Sequence, residues 1–173
     1  MKIKNIALVG NPNCGKTSLF NTLTGTRQKV ANYAGVTVER KEGSFKLPSG
    51  DAIRVLDLPG TYSLKPSSLD EEVTRAVCLG ELKGEILPDI FICVVDATNL
   101  SLHLSLVLEV RALNRPMILV LNMMDEVKKR GISIDKDKLS QLLGIPVVEA
   151  VAVKTKGIQD LINQLDQKNL FIT

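Results

Sequence analysis

The chain has 173 residues, about the size of one domain, which argues against two large domains. Apolar residues make up 45% and charged residues 24%, so the composition indicates a globular chain with a buried core and excludes a disordered one. The 22 Lys and Arg residues interleave with 19 acids for a net charge of +3, which favours neither nucleic acid nor an anionic membrane as a partner.

Three cysteines, Cys14, Cys78 and Cys93, lack C-x-x-C spacing, and the chain has one histidine. These residues cannot form a typical zinc site alone, and unpaired cysteines indicate a reducing cytosol. No stretch approaches the ~18–20 apolar residues that span a bilayer, and the apolar run 6–9 is too short for a signal-peptide core. We therefore expect the chain as given to be soluble.

Runs rich in Val, Ile and Leu alternate with segments of helical period, which predicts an α/β fold with a six-stranded, mostly parallel sheet and helices on both faces. The predicted strands are 3–9, 38–47, 52–58, 90–95, 117–122 and 146–151. Helices are predicted at 16–24, 100–113, 135–143 and 158–168, and another follows Ser68, where Glu71 would complete a capping box. A turn at 48–51 makes 38–47 the one antiparallel strand, while 26–37 shows no clean period.

The strongest chemical signal is at 10–17, Gly-Asn-Pro-Asn-Cys-Gly-Lys-Thr, a complete G-x-x-x-x-G-K-[ST] between a buried strand and a helix. Glycines at both ends let backbone N–H groups turn toward phosphate oxygens, and the helix adds its positive dipole end. We expect Lys16 to neutralise the β- and γ-phosphates and Thr17 to offer a hydroxyl to Mg²⁺. The predicted phosphate-binding residues are Gly10, Asn11, Pro12, Asn13, Cys14, Gly15, Lys16, Thr17 and Ser18.

An N-x-x-D pattern at the end of a predicted strand selects the base. The single carboxylate of Asp125 can accept from both guanine N1–H and the exocyclic amine, where adenine presents an acceptor. Met123 replaces the lysine common in this motif, and its unbranched chain can still cover the guanine face. Together with Asn122, these residues predict GTP or GDP rather than ATP, at the sheet edge where open α/β folds bind ligands.

A weaker signal for the base lies at the end of the last predicted strand. There the usual Ser/Thr-Ala pair is present only as Val151-Ala152, and Val153 follows it. We expect the Ala152 N–H to meet guanine O6, although a plain buried strand would look similar.

Asp57-Leu58-Pro59-Gly60 matches the D-x-x-G of guanine-nucleotide switches, here called switch II. Asp57 can hold Mg²⁺ through a water, and the Gly60 N–H can meet the γ-phosphate. Loss of that phosphate on hydrolysis would release the loop. Thr37 is the candidate for the other contact to Mg²⁺ and γ-phosphate, but by spacing alone an ordinary threonine at a strand start is an equal alternative.

Four stretches carry a more specific likeness: 10–21, 32–43, 57–64 and 95–100. They read Gly-Asn-Pro-Asn-Cys-Gly-Lys-Thr-Ser-Leu-Phe-Asn, Asn-Tyr-Ala-Gly-Val-Thr-Val-Glu-Arg-Lys-Glu-Gly, Asp-Leu-Pro-Gly-Thr-Tyr-Ser-Leu and Val-Asp-Ala-Thr-Asn-Leu. With them, the sequence resembles over its whole length the N-terminal G domain of the bacterial ferrous iron transport (FeoB) family. The resemblance implies a Ras-like P-loop NTPase fold, a GTP-binding domain over 1–173, and hydrolysis of GTP to GDP and phosphate.

The same resemblance implies a location and partners. The domain would lie on the cytoplasmic face of the bacterial inner membrane, in a multi-pass protein that links nucleotide state to Fe²⁺ uptake. A helical GDP-dissociation-inhibitor domain and a membrane region would follow it, so the chain resembles an excised G domain. Nucleic acid is not an expected partner, and the resemblance leaves self-association through the parent protein open.

By resemblance, Thr37 becomes the Mg²⁺-binding threonine of switch I, which covers about 27–40. Members of this family and the similar tRNA-modifying G protein are activated by K⁺, held partly by a loop asparagine, and Asn13 occupies the matching position. Thr61 stands where many G proteins have a glutamine that orients the attacking water, so slow intrinsic hydrolysis is expected. The residues assigned to catalysis are Lys16, Thr37, Gly60 and Asn13, and those assigned to Mg²⁺ are Thr17, Thr37 and Asp57.

Three alternatives stay open at this point. An RNA-associated G protein of the ribosome-assembly or tRNA-modification type shares these loops but would need an RNA-binding appendage. An ATP-using P-loop enzyme is opposed by Asp125. A nucleotide switch with negligible catalysis would use the same residues. No carboxylate–histidine cluster is evident, so we do not expect Fe²⁺ to bind specifically to this chain.

Overall fold

The strands assemble into one sheet in the computed structural model, which describes residues 2–167. They span Asn5–Gly10 (β1), Gln28–Asn32 (β2), Glu39–Lys46 (β3), Ala52–Asp57 (β4), Ile90–Asp96 (β5), Met117–Asn122 (β6) and Val147–Glu149 (β7). Their order across the sheet is β2-β3-β4-β1-β5-β6-β7. The carboxyl ends of the parallel strands therefore meet at one edge, where the loops carrying the predicted motifs begin.

Helices cover both faces of the sheet. They are Lys16–Thr24 (α1), Leu69–Leu79 (α2), Leu100–Arg111 (α3), Met124–Lys129 (α4), Lys136–Leu143 (α5) and Gln159–Asp166 (α6). Phe20 of α1 and Leu161 of α6 lie in the apolar cluster of one face, and Val107 of α3 and Val127 of α4 lie in that of the other. This arrangement confirms the predicted α/β class with helices on both sides. Within residues 2–167, no helix is long and apolar enough to cross a membrane.

The predicted count of six strands is wrong, because the described residues form seven. The additional strand is β2, in the segment where the sequence shows no period. Its residues are almost all exposed, so no apolar alternation marks them, and the strand exists by pairing with β3. Since β3 is antiparallel to both β2 and β4, it alone runs against the other strands between residues 2 and 167, as predicted.

Three elements differ from the prediction, besides shifts of one or two residues at the ends of several others. Strand β7 stops at Glu149 rather than 151, and the Val151 N–H bonds to Gly157 O at 2.9 Å. The short helix α4 was not predicted, since six residues carry too little helical period. Helix α6 begins at Gln159 after a 3-10 turn, and its predicted end at Lys168 lies outside the described residues.

The capping of α2 is half as predicted. Ser68 Oγ accepts the Glu71 N–H at 3.2 Å, as expected of an N-cap. The Glu71 carboxylate instead accepts from the Ser67 N–H and hydroxyl, both at 2.8 Å, and these bonds lower the pKa of Glu71. The acid of the expected capping box therefore holds the loop that precedes the helix.

Candidate nucleotide-binding site

The glycines that frame the 10–17 loop are required by close approach. A Cβ at Gly10 would lie 2.6 Å from Val94 O and 2.7 Å from Cys14 Sγ. Gly15 has φ +90°, and a Cβ there would lie 2.0 Å from Asn122 Nδ2. A larger residue would collide with backbone at Gly10, and at Gly15 it would be strained by the positive φ and would displace the Asn122 side chain, so both glycines fit the tight curve that the sequence predicts.

Inside the loop, buried and exposed residues are sharply divided. Asn11 and Cys14 are buried, and burial raises the pKa of the Cys14 thiol, which fits a space-filling role. Pro12 and Asn13 are exposed, and Asn13 adopts a left-handed backbone with φ 64°. The Asn13 side chain therefore stands on the solvent side of the loop, next to the start of α1.

A buried ion pair joins the loop to the end of β4. Lys16 Nζ donates to Asp57 Oδ1, and both side chains are less than a tenth exposed. Lys16 begins α1 and Asp57 ends β4, so the pair brings together the two motif residues expected to meet phosphate and Mg²⁺. Thr17, the next residue of α1, is exposed, and Ser18 is half-buried.

The ion pair and Thr17 line a cavity of about 210 Å³. Its lining includes Lys16, Thr17, Asp57 and Gly60 from the predicted phosphate loop and switch II, with Val38, Glu39 and Lys41 from the start of β3. Thr37 is exposed and does not line the cavity. It lies beside the wall, in a turn closed by the Tyr33 N–H on Val38 O at 2.9 Å. The structure therefore gathers the predicted Mg²⁺ residues except Thr37.

Asn122 ties the phosphate loop to the end of the sheet. Its buried side chain donates from Nδ2 to Cys14 O at 3.0 Å and accepts the Ala152 N–H on Oδ1 at 2.9 Å. The Ala152 N–H expected to meet guanine O6 is thus already bonded in this structure. A guanine contact at that atom would share or replace the bond to Asn122.

The two hydrogen bonds from the Asn122 side chain to Cys14 and Ala152 are here called the Asn122 clasp. The other residues predicted to contact the base flank it. Met123 has φ 62° and precedes α4, and Asp125 is half-buried in the first turn of that helix. Val151 is half-buried and Val153 is 71% exposed. The predicted base-reading residues therefore lie on two adjacent strand ends, at the carboxyl edge of β6 and just beyond β7.

Sequence reasoning missed the contacts that hold residues 61–67, here called the 61–67 segment. Thr61 is fully buried, its N–H donates to Gly10 O at 3.0 Å, and its hydroxyl donates to Ser63 O at 2.6 Å. Glu71 accepts from the segment's far end, and Glu109 on α3 accepts from its centre. The approach of Glu109 depends on tertiary structure, because it lies some 45 residues away from its partners and belongs to no motif.

Potential metal ligands at the cavity are oxygen donors. Among residues 2–167, no group of three or more His, Cys, Asp or Glu side chains is placed to hold a metal ion. The Thr17 hydroxyl and Asp57 carboxylate beside the cavity are ligand types that suit Mg²⁺, which needs few protein ligands.

A mostly parallel sheet with helices on both faces, and a G-x-x-x-x-G-K-T loop between β1 and α1, define a P-loop NTPase domain. The family model described as ferrous iron transport protein B matches residues 4–165, so the chain belongs to the FeoB family. This membership confirms the resemblance seen in the sequence motifs.

Curated relatives are longer than this chain. The Fe(2+) transporter FeoB of Salmonella typhimurium is 47% identical over an alignment 173 residues long that covers 98% of this chain and 22% of that protein. A Porphyromonas gingivalis Fe(2+) transport protein A/Fe(2+) transporter FeoB fusion protein is 45% identical, covering 92% of this chain and 18% of the fusion. The chain thus spans about a fifth of the length of the curated relatives it matches.

Solved structures agree closely with the fold. The cytosolic domain of the T. maritima FeoB iron transporter in a GDP form has a TM-score of 0.88 at 45% identity, covering 98% of this chain and 66% of that one. Its GMPPNP form has a TM-score of 0.86 at 43% identity, covering 99% and 67%. The G domain of the same transporter has a TM-score of 0.82 at 46% identity, covering 95% and 99%.

Proposed function

We propose that residues 1–173 form a G domain that binds GTP and GDP and hydrolyses GTP slowly, within a longer protein in which nucleotide state controls Fe²⁺ uptake. The observation that carries this proposal is the joining of two motifs at one sheet edge. Asn122 bonds to the phosphate loop at Cys14 and to Ala152 beyond β7. A nucleotide lying along that edge would meet the phosphate loop and the base-reading residues together. The GDP and GMPPNP forms of the T. maritima domain support this choice of ligand.

The residues at the cavity would make different contacts with the phosphates and with Mg²⁺. Backbone N–H groups of 13–17 would donate hydrogen bonds to the β- and γ-phosphate oxygens, where charge changes during transfer, and the Lys16 ammonium would neutralise part of their charge. Thr17 and Asp57 would hold Mg²⁺, which when bound neutralises charge on the same oxygens. The Gly60 N–H would donate to the γ-phosphate. Thr37 would join them only after its exposed turn moves toward the cavity.

Hydrolysis should be slow because Thr61 cannot replace the usual glutamine. Its side chain is fully buried and its hydroxyl is directed at Ser63 O, so it does not face an attacking water. We expect turnover at saturating GTP well below ~10 per second. The same observation favours a second candidate, a nucleotide switch with negligible catalysis that hydrolyses GTP only with a partner. Single-turnover hydrolysis of bound GTP by the chain alone separates the two.

We further propose that K⁺ speeds this hydrolysis through Asn13. The side chain is exposed on the phosphate loop, so its amide oxygen can ligate a cation lying against the β- and γ-phosphates. That positive charge would take the place of an arginine finger.

The deciding experiment is phosphate release from GTP in KCl and in NaCl at equal ionic strength, with ATP as a control. We expect several-fold faster release in KCl, little release from ATP, and loss of the KCl effect in Asn13→Ala. Asn114→Ala is a matched control, because Asn114 is also exposed and left-handed, with φ 53°, but follows α3 away from the loop. Equal KCl effects in Asn13→Ala and wild type would refute the K⁺ role. A tighter affinity for ADP than for GDP would refute the G-domain assignment.

For the longer protein we propose a place at the cytoplasmic face of a bacterial inner membrane, with a helical GDP-dissociation-inhibitor domain and a membrane transport domain as partners. The names of the curated relatives, which are Fe(2+) transporters, support it. Full-length protein carrying Lys16→Ala should lose Fe²⁺ uptake into cells while keeping its abundance. Unchanged uptake would show that nucleotide binding does not control transport.

A further inference from the structure

One carboxylate on α3 is devoted to the loop that follows D-x-x-G. The two oxygens of Glu109 accept the Ser63 hydroxyl at 2.9 and 3.0 Å, and one of them also accepts the Leu64 N–H at 2.6 Å. No ion pair formed within residues 2–167 includes Glu109. The charge of this half-buried acid is therefore satisfied by the 61–67 segment.

Two short steps connect Glu109 to the phosphate loop. Ser63, held by the carboxylate, accepts the Thr61 hydroxyl on its carbonyl oxygen at 2.6 Å. The Thr61 N–H in turn donates to Gly10 O, the first residue of the phosphate loop, at 3.0 Å. Because Thr61 is fully buried, a displacement of Ser63 has little room to be absorbed before it reaches Gly60 and Gly10.

Gly60 has little freedom where it meets the loop. A Cβ at Gly60 would lie 3.1 Å from Pro12 N, so its backbone already touches the phosphate loop. The Gly60 N–H is the group proposed to meet the γ-phosphate. Its direction therefore depends on where the following residues are held.

Glu71, the other acid that binds the 61–67 segment, is close to that segment in the sequence. Glu71 accepts the Tyr62 N–H at 3.4 Å and the Ser67 N–H at 2.8 Å, and it lies at the start of α2, only four residues beyond Ser67. Because so few residues separate Glu71 from the segment, the two move together. Glu109 is the tertiary anchor, since it lies 46 residues from Ser63 on a helix whose inner face is buried against the sheet.

We propose that Glu109 is a positioning residue for GTP hydrolysis, which holds Ser63 and Leu64 so that Gly60 and Thr61 stay against the phosphate loop. The inference rests on the proposed GTPase function. Hydrogen bonds to a charged acceptor are about twice as strong as neutral ones, so the anchor is well suited to fixing a loop. GDP has no γ-phosphate for Gly60 to meet. Loss of the anchor should therefore lower kcat and leave GDP affinity unchanged.

The first variant is Glu109→Gln, which keeps the shape and removes the charge. We expect kcat for GTP to fall roughly five- to ten-fold, while KM and the Kd for GDP stay within about two-fold. Ser63→Ala should give a part of this loss. The double variant should lose less than the product of the two single effects, because the residues share one contact.

Glu72→Gln is the matched control, because Glu72 is exposed on α2 and no hydrogen bond within residues 2–167 uses its carboxylate. It should leave kcat unchanged. Thermal unfolding of Glu109→Gln should match that of wild type, which separates positioning from loss of the fold. If kcat falls only in proportion to unfolded protein, the proposal is overturned.

Amide exchange of Leu64 in the nucleotide-free chain tests the contact without hydrolysis. The Leu64 N–H should exchange slowly in wild type and at least ~10-fold faster in Glu109→Gln. Equal exchange in both, or unchanged kcat despite fast exchange, overturns the positioning role. If wild type shows the protected Leu64 N–H but no GTP hydrolysis, the proposed function has failed, and the role of Glu109 in hydrolysis fails with it.

Discussion

The two halves of the sheet differ in how deeply their strands are buried. Strands β5 and β6 are apolar and buried along almost their whole length, whereas four of the five residues of β2 are exposed. The clasp from Asn122 starts on the buried half, and the segment resembling switch I lies on the exposed half. Local opening has a low free energy where few apolar contacts are made. The domain therefore combines a well-packed half, which carries the predicted base-reading residues, with a weakly held edge beside the cavity.

Polar contacts around Arg40 help to hold the exposed half of the sheet. The Arg40 guanidinium bonds to Glu85 through Nε at 2.6 Å and to Glu42 through Nη1 at 2.6 Å, and it lies 6.0 Å from the centre of the Tyr33 ring. Burial raises the pKa of Tyr33, whose side chain is 2% exposed. Such contacts are directional and fewer in number than those of an apolar core. They can be exchanged for others at small cost, which suits a segment expected to respond to a γ-phosphate.

The largest loss of stability should come from a substitution in the buried half of the sheet. Leu119 in β6 is fully buried, so Leu119→Ala leaves a cavity between the sheet and its helices. We expect the free energy of unfolding to fall by about 2–5 kcal/mol, measured by urea denaturation. A loss below ~1 kcal/mol would show that this half is not tightly packed.

Asn122→Ala removes the clasp between the two motifs. The change leaves Cys14 O and the Ala152 N–H without their partner in a buried place, so we expect a loss of about 2–3 kcal/mol in the free energy of unfolding. GDP affinity, measured by calorimetry, should fall as well. Asn21→Ala is the control, since the Asn21 side chain is exposed and bonds only to Gln28 within residues 2–167. Equal effects of both variants would refute a special role for Asn122.

Arg40→Met tests the polar attachment of the exposed half. Arg40 and Glu85 are 17% and 11% exposed, so breaking the pair should cost about 1–2 kcal/mol, less than for a fully buried pair. Amide exchange should rise in β2 and β3 but not in β6. Lys129→Met, which breaks the ion pair between the 71% exposed Lys129 and Glu126, should leave the free energy of unfolding essentially unchanged, because exposed ion pairs contribute little. Uniform exchange changes across the sheet would contradict the comparison.

His103 gives the well-packed half a pH dependence. Burial lowers the pKa of His103, only partly opposed by the Asp96 charge. Its folded-state pKa lies below the unfolded value of ~6.5, so its contribution to stability is complete above that pH and is lost as pH falls through the folded pKa. His103→Leu should flatten the decline in unfolding free energy as the pH falls below about 6.5. Because the chain has one histidine, its NMR titration checks the direction without assignment.

The smallest change in stability is expected for a substitution in the exposed strand β2. Val30 in β2 is 60% exposed, so Val30→Ala should change the free energy of unfolding by no more than ~0.5 kcal/mol. A loss like that of Leu119→Ala would mean that β2 is covered in solution. Chemical denaturation at several protein concentrations would then reveal whether a second copy covers it.

Most of the fold was predictable from the sequence because its elements carry complete local patterns. Strand 117–122 and helix 16–24 have the predicted bounds, since one is a continuous apolar run and the other starts at the phosphate loop and stops at Gly25. Strand β2 was missed because an exposed edge strand needs no apolar alternation. Helix α4 was missed because its six residues are too few to show a period.

The candidate site divides in the same way. Its phosphate loop, D-x-x-G and N-x-x-D residues could be located by spacing, because each motif is contiguous and lies at a strand end. Thr37 was predicted to act with Thr17 and Asp57, and the structure leaves it outside the cavity. Ala152 was expected to face the base, and its N–H bonds to Asn122. A single sequence does not encode which of several possible partners a backbone group takes.

The sequence by itself determined the local chemistry: the glycines of the phosphate loop, Lys16 and Thr17 at the start of α1, and Asp57 at the end of a strand. Only the tertiary structure decided which distant groups hold that chemistry in place. Asn122 reaches Cys14 across 108 residues, and Glu109 reaches Ser63 across 46. Such hydrogen bonds form only when strand order and helix packing bring the groups within about 3 Å, and no local periodicity records that distance.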